Sequence, residues 1–186
     1  LDGEITLAKF ANLGSDGQVM TSTGSSSPPA FEAAAAGGKL LQVVNIQAGA
    51  TASNTGVMYM DDTIPQIGEG AEFMSLAITP AHASNILEIT VYAEHSCNAN
   101  THNIFGFLFA VGTSNALAGM IYTQEIGNYM GIISFKHRMA AGGTSAITFK
   151  YRAGALGGTT RFNGNNDGRR AGGTCASSIT IKEISA

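Results

Sequence analysis

The stretch that decides the fold is residues 103–112, which read Asn-Ile-Phe-Gly-Phe-Leu-Phe-Ala-Val-Gly. Alternate positions on one side carry Phe105, Phe107, Phe109 and Val111, and those on the other carry Ile104, Gly106, Leu108 and Ala110. Because the side chains of a strand alternate between two faces, neither face of this strand is polar. Such a strand has to be covered on both sides. We expect the domain's own core on one side, and either a second sheet or another copy of the chain on the other.

The composition limits the kind of protein this chain can be. Charged residues make up 12% of its 186 residues, about half the usual share for a soluble domain, while 44% are hydrophobic. We therefore expect a surface rich in uncharged polar residues, or one partly hidden in an oligomer. The net charge of -3 gives no electrostatic footprint for nucleic acid. The apolar runs fall short of the roughly 18 residues that a membrane helix needs, so we expect no membrane insertion.

The chain has two regions of different composition. Residues 1–38 are rich in Gly, Ser and Pro, with isolated apolar residues such as Phe10, Val19 and Phe31 among them. Such a segment cannot form a core by itself, yet a plain linker would not need these side chains. We expect an extended, low-complexity stalk that packs against neighbouring copies, and place the boundary to a second region, 39–186, near Lys39. Because Leu1 is not a start methionine, we expect the chain to be part of a longer protein.

The second region has the pattern of short strands separated by turn residues. The predicted strands are residues 40–47, 57–60, 73–79, 85–95, 103–112, 117–123, 129–139, 147–152, 159–162 and 175–184. The alternation is clearest where Ile147, Phe149 and Tyr151 face inward. Glycine- and asparagine-rich clusters between the strands supply the turns. We predict an all-β domain, a jelly-roll β-sandwich, without an amphipathic helix of credible length.

Three features of the N-terminal segment carry a family resemblance. They are a Gly-x-x-Gly-Gln-Val turn at residues 14–19, a Thr-Ser-x-Gly turn at 21–24, and two prolines before an aromatic residue at 28–31. With the opening Asp-Gly-Glu-Ile-Thr-Leu-Ala-Lys-Phe at residues 2–10, this segment resembles the stalks of bacteriophage tail fibres and related virion fibre proteins. The body resembles the trimeric fibre-tip knobs of the tumour-necrosis-factor or C1q-like jelly-roll kind. Its ending, Ser-Ser-Ile-Thr-Ile-Lys-Glu-Ile at residues 177–184, is similar to the way such tips end.

The resemblance implies a homotrimer and a role in attachment. We assign the trimer interface to Phe105, Phe107, Phe109 and Val111, because in a three-fold knob some strands lose their polar face. The implied partners are the sister subunits, the rest of the virion fibre, and a glycan or protein on the host cell surface. The implied location is the virion, outside the cell.

A late loop offers the best candidate ligand site. Its polar residues, which we predict to bind ligand, are Arg161, Asn163, Asn165, Asn166, Asp167, Arg169 and Arg170. Amide and guanidinium groups make directional hydrogen bonds to sugar hydroxyls, carboxylates and phosphates. Such a loop at the tip of a knob could bind lipopolysaccharide or another glycan. A plain solvated hairpin is the simpler interpretation.

Metal and catalytic sites find little support in the sequence. The four histidines match no metal-binding spacing, and we predict neither a metal nor a cofactor. One alternative stays open: His95 could meet its two copies near a three-fold axis and hold a cation. The sequence contains no Gly-x-Ser-x-Gly elbow for a nucleophile. We expect Cys97 and Cys175 to be free thiols, with a bridge between them as the alternative.

The function we predict is that of a non-catalytic virion fibre tip, a tail-fibre or receptor-binding protein that attaches to the host cell. Within viruses, a capsid decoration or head-fibre protein is the alternative. Outside viruses, the alternative is a trimeric C1q-like or lectin-like carbohydrate-binding module. An enzyme ranks last, because paired acidic or metal-binding residues are missing from the pattern.

Overall fold

The computed structural model describes residues 18–21, 30–33, 38–100, 102–166 and 168–186. The chain divides into two units, Leu1–Lys39 and Leu40–Ala186. In the first unit, strands β1 (Gln18–Thr21) and β2 (Ala30–Ala33) form an antiparallel pair. Most of the predicted stalk, residues 1–38, lies outside the described residues.

The second unit is built from antiparallel strands. They are β3 (Leu40–Ala48), β4 (Ala52–Asn54), β5 (Ala71–Ile78), β6 (Ile86–Cys97), β7 (His102–Ala110), β8 (Ala118–Gln124), β9 (Gly131–Ala140), β10 (Ile147–Ala155), β11 (Thr160–Phe162), β12 (Gly164–Asn165), β13 (Gly168–Arg169) and β14 (Ser177–Ile184). A 3-10 turn lies at Ala171–Gly173. A search of the described residues for a helix with the length and apolar character of a membrane span finds none. The predicted all-β class is confirmed.

The eight long strands pair in the order of a jelly roll. The first pairs with the last (β3 with β14), the second with the seventh (β5 with β10), the third with the sixth (β6 with β9), and the fourth with the fifth (β7 with β8). This ribbon then rolls up, so that β14 also pairs with β6 and β10 with β7. The result is one sheet β5-β10-β7-β8 and a second sheet β3-β14-β6-β9, which β11 and β4 extend at one end. The predicted jelly-roll sandwich is confirmed.

The core lies between the two sheets and follows the period-two pattern of the sequence. Leu87, Ile89 and Val91 of β6 are fully buried, and so are Phe149 and Tyr151 of β10. On β7 the inner face carries Ile104, Leu108 and Ala110, all of which belong to this core. Gly106 lies between them, and an added Cβ there would collide with the Tyr151 hydroxyl and the Ile133 side chain. The inner face of β7 is therefore covered by the domain's own core, as expected.

The outer face of β7 is covered by the chain's own segment 55–70, not by a strand. Residues 57–60 were predicted to form a strand, and this prediction is wrong: Val57 makes only an isolated bridge to Ala155. Further along, Gln66 bridges to Asn115, and the Pro65 carbonyl accepts a hydrogen bond from Ala116 N at 2.9 Å. These bonds hold an irregular segment across the sheet β5-β10-β7-β8 and satisfy backbone groups that have no continuous strand pairing.

The cover segment corrects the predicted trimer interface. Phe105 and Phe109 have no accessible surface within the single chain, so their assignment to an interface between subunits is wrong. Phe107 is only half-buried, and Val111 keeps 53% of its surface exposed. A sequence pattern shows that both faces of a strand need cover, but not whether a loop of the same chain supplies it.

Close backbone approach explains how the cover segment fits. An added Cβ at Gly154 of β10 would lie 2.6 Å from the Gly56 carbonyl oxygen and 3.1 Å from Met58 Cγ. Met58 itself is fully buried. The Arg152 guanidinium donates hydrogen bonds to the carbonyls of Glu69 and Gly70, both at 2.9 Å. Glycine at position 154 thus lets the segment rest directly on the sheet.

A buried carboxylate closes the end of the sandwich where β3 begins. Glu183 accepts hydrogen bonds from the side chains of Asn85 (2.6 Å) and Gln42 (2.5 Å) and from Ala81 N (2.8 Å). Burial acts to raise the pKa of the Glu183 carboxyl, but these hydrogen bonds together hold the pKa below its ordinary value. The charged form is therefore favoured in the folded state.

We expect Glu183→Gln to lower the stability at neutral pH by about 1–3 kcal/mol, because the new amide group meets hydrogen-bond donors. A lowered folded-state pKa gives stability that is present above the unfolded-state pKa of about 4.5 and is lost as the pH falls through the folded-state pKa. The stability lost between pH 7 and pH 3, measured by thermal unfolding, should therefore be smaller for Glu183→Gln than for the wild type. The matched control is Glu88→Gln, whose ion pairs with Lys136 and Lys182 are 3.9 and 3.8 Å long at the surface. If the wild type and Glu183→Gln lost the same stability on acidification, the Glu183 carboxylate would not stabilise the fold.

Candidate functional site

A polar cleft lies where β11 meets β4 and the hairpin β12–β13. It has a volume of about 230 Å3. Its lining residues are Thr51, Ala52, Ser53, Arg161, Phe162, Gly164, Asn165, Asn166 and Gly168. In the register of β11 and β4, Arg161 lies opposite Ser53. The cleft therefore joins part of the predicted ligand loop to hydroxyl groups from a segment over 100 residues earlier in the chain.

Arg161 is the charged group of the cleft. It is the one ionisable residue among the described residues that line it. Its guanidinium has a single acceptor in the described part of the chain, the Thr159 carbonyl, at the long distance of 3.4 Å. The remaining guanidinium donors are available to a ligand. A guanidinium with free donors, flanked by hydroxyl and amide groups, suits a polyhydroxy ligand that carries an acidic group.

The strand beneath the cleft is held rigidly by aromatic packing. Phe162 is 2% exposed, and its ring stacks on Phe73 with centroids 5.1 Å apart. The His95 ring lies 5.4 Å from Phe162 and 5.3 Å from Phe73. Because Arg161 directly precedes Phe162, this packing holds the backbone of Arg161, and with it the base of its side chain, in place. A preformed site loses less conformational entropy on binding.

His95 supports the cleft from inside the core, which corrects the idea of an axial metal site. The residue is fully buried, and its Nδ1 lies 3.1 Å from the Arg161 carbonyl oxygen. A carbonyl only accepts, so Nδ1 carries the proton and Nε2 accepts from the Tyr151 hydroxyl at 2.9 Å. Burial lowers the pKa of His95 to about 3, so the ring is neutral at physiological pH. Both ring nitrogens are occupied, and His95 cannot meet its copies on a three-fold axis.

The other predicted ligand residues fare differently. Asn165 and Asn166 line the cleft with Arg161. Asn163 is fully buried and is wrong as a ligand residue: its amide donates to the carbonyls of Ala48 and Ala50, and its Oδ1 accepts from Ser177. Arg169 and Arg170 are not among the lining residues. Asp167 lies outside the described residues.

Sequence reasoning missed Thr51 and Ser53, the hydroxyl side of the cleft. They follow the predicted first strand in a short run, Ala-Thr-Ala-Ser-Asn, without a periodic pattern. Gly164 is the contact point: an added Cβ there would lie 2.8 Å from the Thr51 methyl and 2.5 Å from the Gly168 oxygen. A glycine inside a short polar strand is the one sequence signal of this close approach.

The acidic, histidine and cysteine side chains of the described residues were compared for shared sites. They contain no group of three or more His, Cys, Asp or Glu side chains that could hold a metal ion. The Asp61 carboxylate accepts hydrogen bonds from the hydroxyl and backbone of Thr63, which lower the pKa of its carboxyl. Cys97 is buried, Cys175 is half-buried, and both are free thiols.

Comparison with known proteins yields structural likeness only. No family model matches the sequence, and a search of curated proteins finds no match. Among solved structures, the Gx strain of infectious bursal disease virus matches with a TM-score of 0.37 and 11% identity, over 90% of this chain and 44% of that chain. The VP2 subviral particle of the same virus gives 0.35 and 10%, over 91% and 43%. The enzymatically active domain of tailspike protein 4 of bacteriophage CBA120 gives 0.27 and 16%, over 64% and 18%.

The chain thus spans less than half the length of the viral chains that it matches. Likenesses at these TM-scores and identities carry no functional argument.

Proposed function

We propose that this chain is a structural protein of a virion, the tip of a fibre, and attaches to the host cell by binding a surface glycan. The observation that carries this proposal is the cleft in which the free guanidinium donors of Arg161 meet the Asn165–Asn166 turn and the hydroxyls of Thr51 and Ser53. The proposed role is binding without catalysis. The family resemblance of the N-terminal segment to fibre stalks supports the same role.

The position of the cleft within the sandwich supports attachment. The sandwich begins at Leu40, which pairs with Ile184, and β3 then runs to Ala48, which pairs with Ser177. The cleft lies beyond the Ala48 end, because β11 pairs with the last residues of β6, His95–Cys97. Nine residues of strand separate the two ends by about 30 Å. A chain entering at Leu40 therefore presents the cleft at the far end of the sandwich.

We also propose that the sandwich assembles as a homotrimer through the surface around Phe107. The Phe107 ring packs over Gly119 and lines a depression with Ile64 and Pro65. Two exposed apolar side chains flank it: Met60, whose sulfur accepts a hydrogen bond from Asn103, and Ile121, which pairs with Phe105 across β7 and β8. Met60, Ile64 and Ile121 are 63%, 56% and 42% exposed. A contiguous apolar surface of this kind marks an interaction site.

We expect light scattering of the purified chain at micromolar concentration to give the mass of a trimer. Ile121→Asp should give a monomer, because burying an unpaired carboxylate in an interface is costly. The matched control is Val43→Asp on the outer face of β3, where Val43 is 49% exposed, and this variant should remain trimeric. A monomeric wild type, or dissociation by Val43→Asp alone, would remove this surface from the account.

The proposed function is tested by screening the fluorescently labelled full chain on an array of bacterial envelope polysaccharides. We expect saturable binding to polysaccharides with acidic groups and no change in their chain length afterwards. The absence of binding to every array member would contradict the attachment role, and depolymerisation of a bound member would contradict the non-catalytic one.

A further inference from the structure

A second depression lies in the loop that joins β8 to β9, and this loop is hydrogen-bonded to the end of β6 that lies near the cleft. It has a volume of about 350 Å3, and Tyr129, Glu125 and Ile126 line it. Tyr129 is 67% exposed, and Ile126 is 58% exposed. Single exposed rings are common on proteins and need no ligand. Here, however, the residue before the ring, Asn128, accepts a hydrogen bond from Asn165, which lines the polar cleft.

The cleft and the second depression are tied to the same end of β6. Asn165, which lines the cleft, donates a hydrogen bond from Nδ2 to the Asn128 carbonyl at 3.4 Å. Asn128 N donates to the Cys97 carbonyl at 2.7 Å, next to Ser96, which pairs with Arg161. Tyr129 follows Asn128 directly. The aromatic ring therefore lies one residue from a backbone carbonyl that contacts the cleft wall.

The loop that carries Tyr129 is fixed at its base. Gln124 is 4% exposed, its Oε1 accepts from Cys97 N at 2.9 Å, and its Nε2 donates to the Cys97 carbonyl at 2.7 Å. Asn128 adopts the left-handed conformation with φ 68°, which turns the chain back toward β9. A ring on an anchored loop offers contact area at a low entropic cost, as aromatic residues do in other binding sites.

We propose that the cleft and Tyr129 form one extended site for an oligosaccharide, with an acidic sugar at Arg161 and a neutral sugar stacked on Tyr129. This inference rests on the proposed attachment function and specifies its ligand. The charges give the direction: Arg161 is the cation of the cleft, and Glu125 lines the second depression, where a second acidic group would be repelled. The apolar C–H face of a sugar ring suits the face of a tyrosine, while its hydroxyls suit the amides between the two positions.

The test uses size-fractionated oligosaccharides, two to eight residues long, from acidic bacterial capsular polysaccharides in which uronic acids alternate with neutral sugars. For the wild-type chain we expect the affinity to increase with length. Tyr129→Ala should remove that increase, a loss of roughly two- to tenfold for the long chains, and leave the shortest chains unchanged. Tyr129→Phe should retain it. The matched control is Tyr59→Ala, a tyrosine that is 63% exposed on the cover segment, and it should bind like the wild type.

A direct spectroscopic readout is available because the chain contains no tryptophan. In Tyr129→Trp the single indole should change its emission when long chains bind, but not when disaccharides bind. The extended site would be overturned if binding required Arg161 but Tyr129→Ala left it unchanged at every length, and if the indole emission of Tyr129→Trp did not change. The attachment function would then still stand. No binding of the wild type at any length would overturn both.

Discussion

Replacing Arg161 by alanine should abolish attachment to acidic host glycans while leaving the sandwich folded. A hydrogen bond between ionised groups contributes about 1.5–3 kcal/mol, so each cleft should lose affinity by about tenfold to a hundredfold or more. In the proposed homotrimer three clefts would act together, so a loss at each cleft would be amplified in the overall avidity. Adsorption of the labelled chain to cells or immobilised polysaccharide should fall to the background level.

Two further variants sharpen this prediction. Arg161→Lys should retain only a small part of the binding, because an ammonium group cannot make the paired hydrogen bonds of a guanidinium. The matched control is Arg138→Ala, which removes an exposed arginine opposite Glu88, toward the end of the sandwich where β3 begins. It should bind as the wild type does. Undiminished adsorption by a folded Arg161→Ala chain would exclude the cleft as the attachment site.

Replacing Gly154 by alanine should loosen the cover segment and lower the stability by about 1–3 kcal/mol, as overpacking in a core does. The added methyl group would lie 2.6 Å from the Gly56 carbonyl oxygen, which is backbone and has little freedom to move away. Moving segment 55–70 would uncover Met58 and Phe105, which are fully buried. Thermal unfolding should therefore begin earlier, and binding of an environment-sensitive dye to exposed apolar surface should increase.

The matched control for this variant is Gly143→Ala. An added Cβ at Gly143 would meet nothing within 4 Å, and its backbone is not left-handed. Alanine there should leave the stability unchanged or raise it by a few tenths of a kcal/mol through the unfolded state. If Gly154→Ala melted like Gly143→Ala, segment 55–70 would not be the cover of the outer sheet face.

The sequence predicted the sandwich well because strand periodicity is local. Ile147, Phe149 and Tyr151 alternate in sequence and are inward-facing in β10. The same reasoning predicted that both faces of β7 need cover. The inner face is covered by the core, and on the outer face Phe105 and Phe109 are fully buried while Phe107 is half-buried. The number and spacing of the strands predicted a jelly-roll sandwich, but the strand order, with the first strand beside the last, could not be predicted because it depends on pairing between segments distant in sequence.

The misses share one physical cause, which is contact between segments distant in sequence. Segment 55–70 has irregular backbone bonds to two distant parts of the chain, Ala155 and residues 114–116, so no periodic pattern predicts it. Phe105 and Phe109 were therefore assigned to a subunit interface instead. Asn163 looked like a ligand residue, but its left-handed backbone (φ 55°) turns its amide into the fold, onto Ala48 and Ala50. Ser53 joins the cleft through the pairing of β4 with β11, and Thr51 through its close approach to Gly164, and no local pattern encodes either contact.

The claim that an acidic sugar binds at Arg161 is tested most directly from the side of the glycan. An acidic envelope polysaccharide that binds the wild-type chain is compared with the same polysaccharide after its acidic groups are removed, by reduction of carboxyl groups or by dephosphorylation. The account predicts that the affinity of the wild-type chain falls at least tenfold, to the level that Arg161→Ala shows on both forms. Equal affinity of the wild-type chain for the native and the neutralised polysaccharide would contradict it.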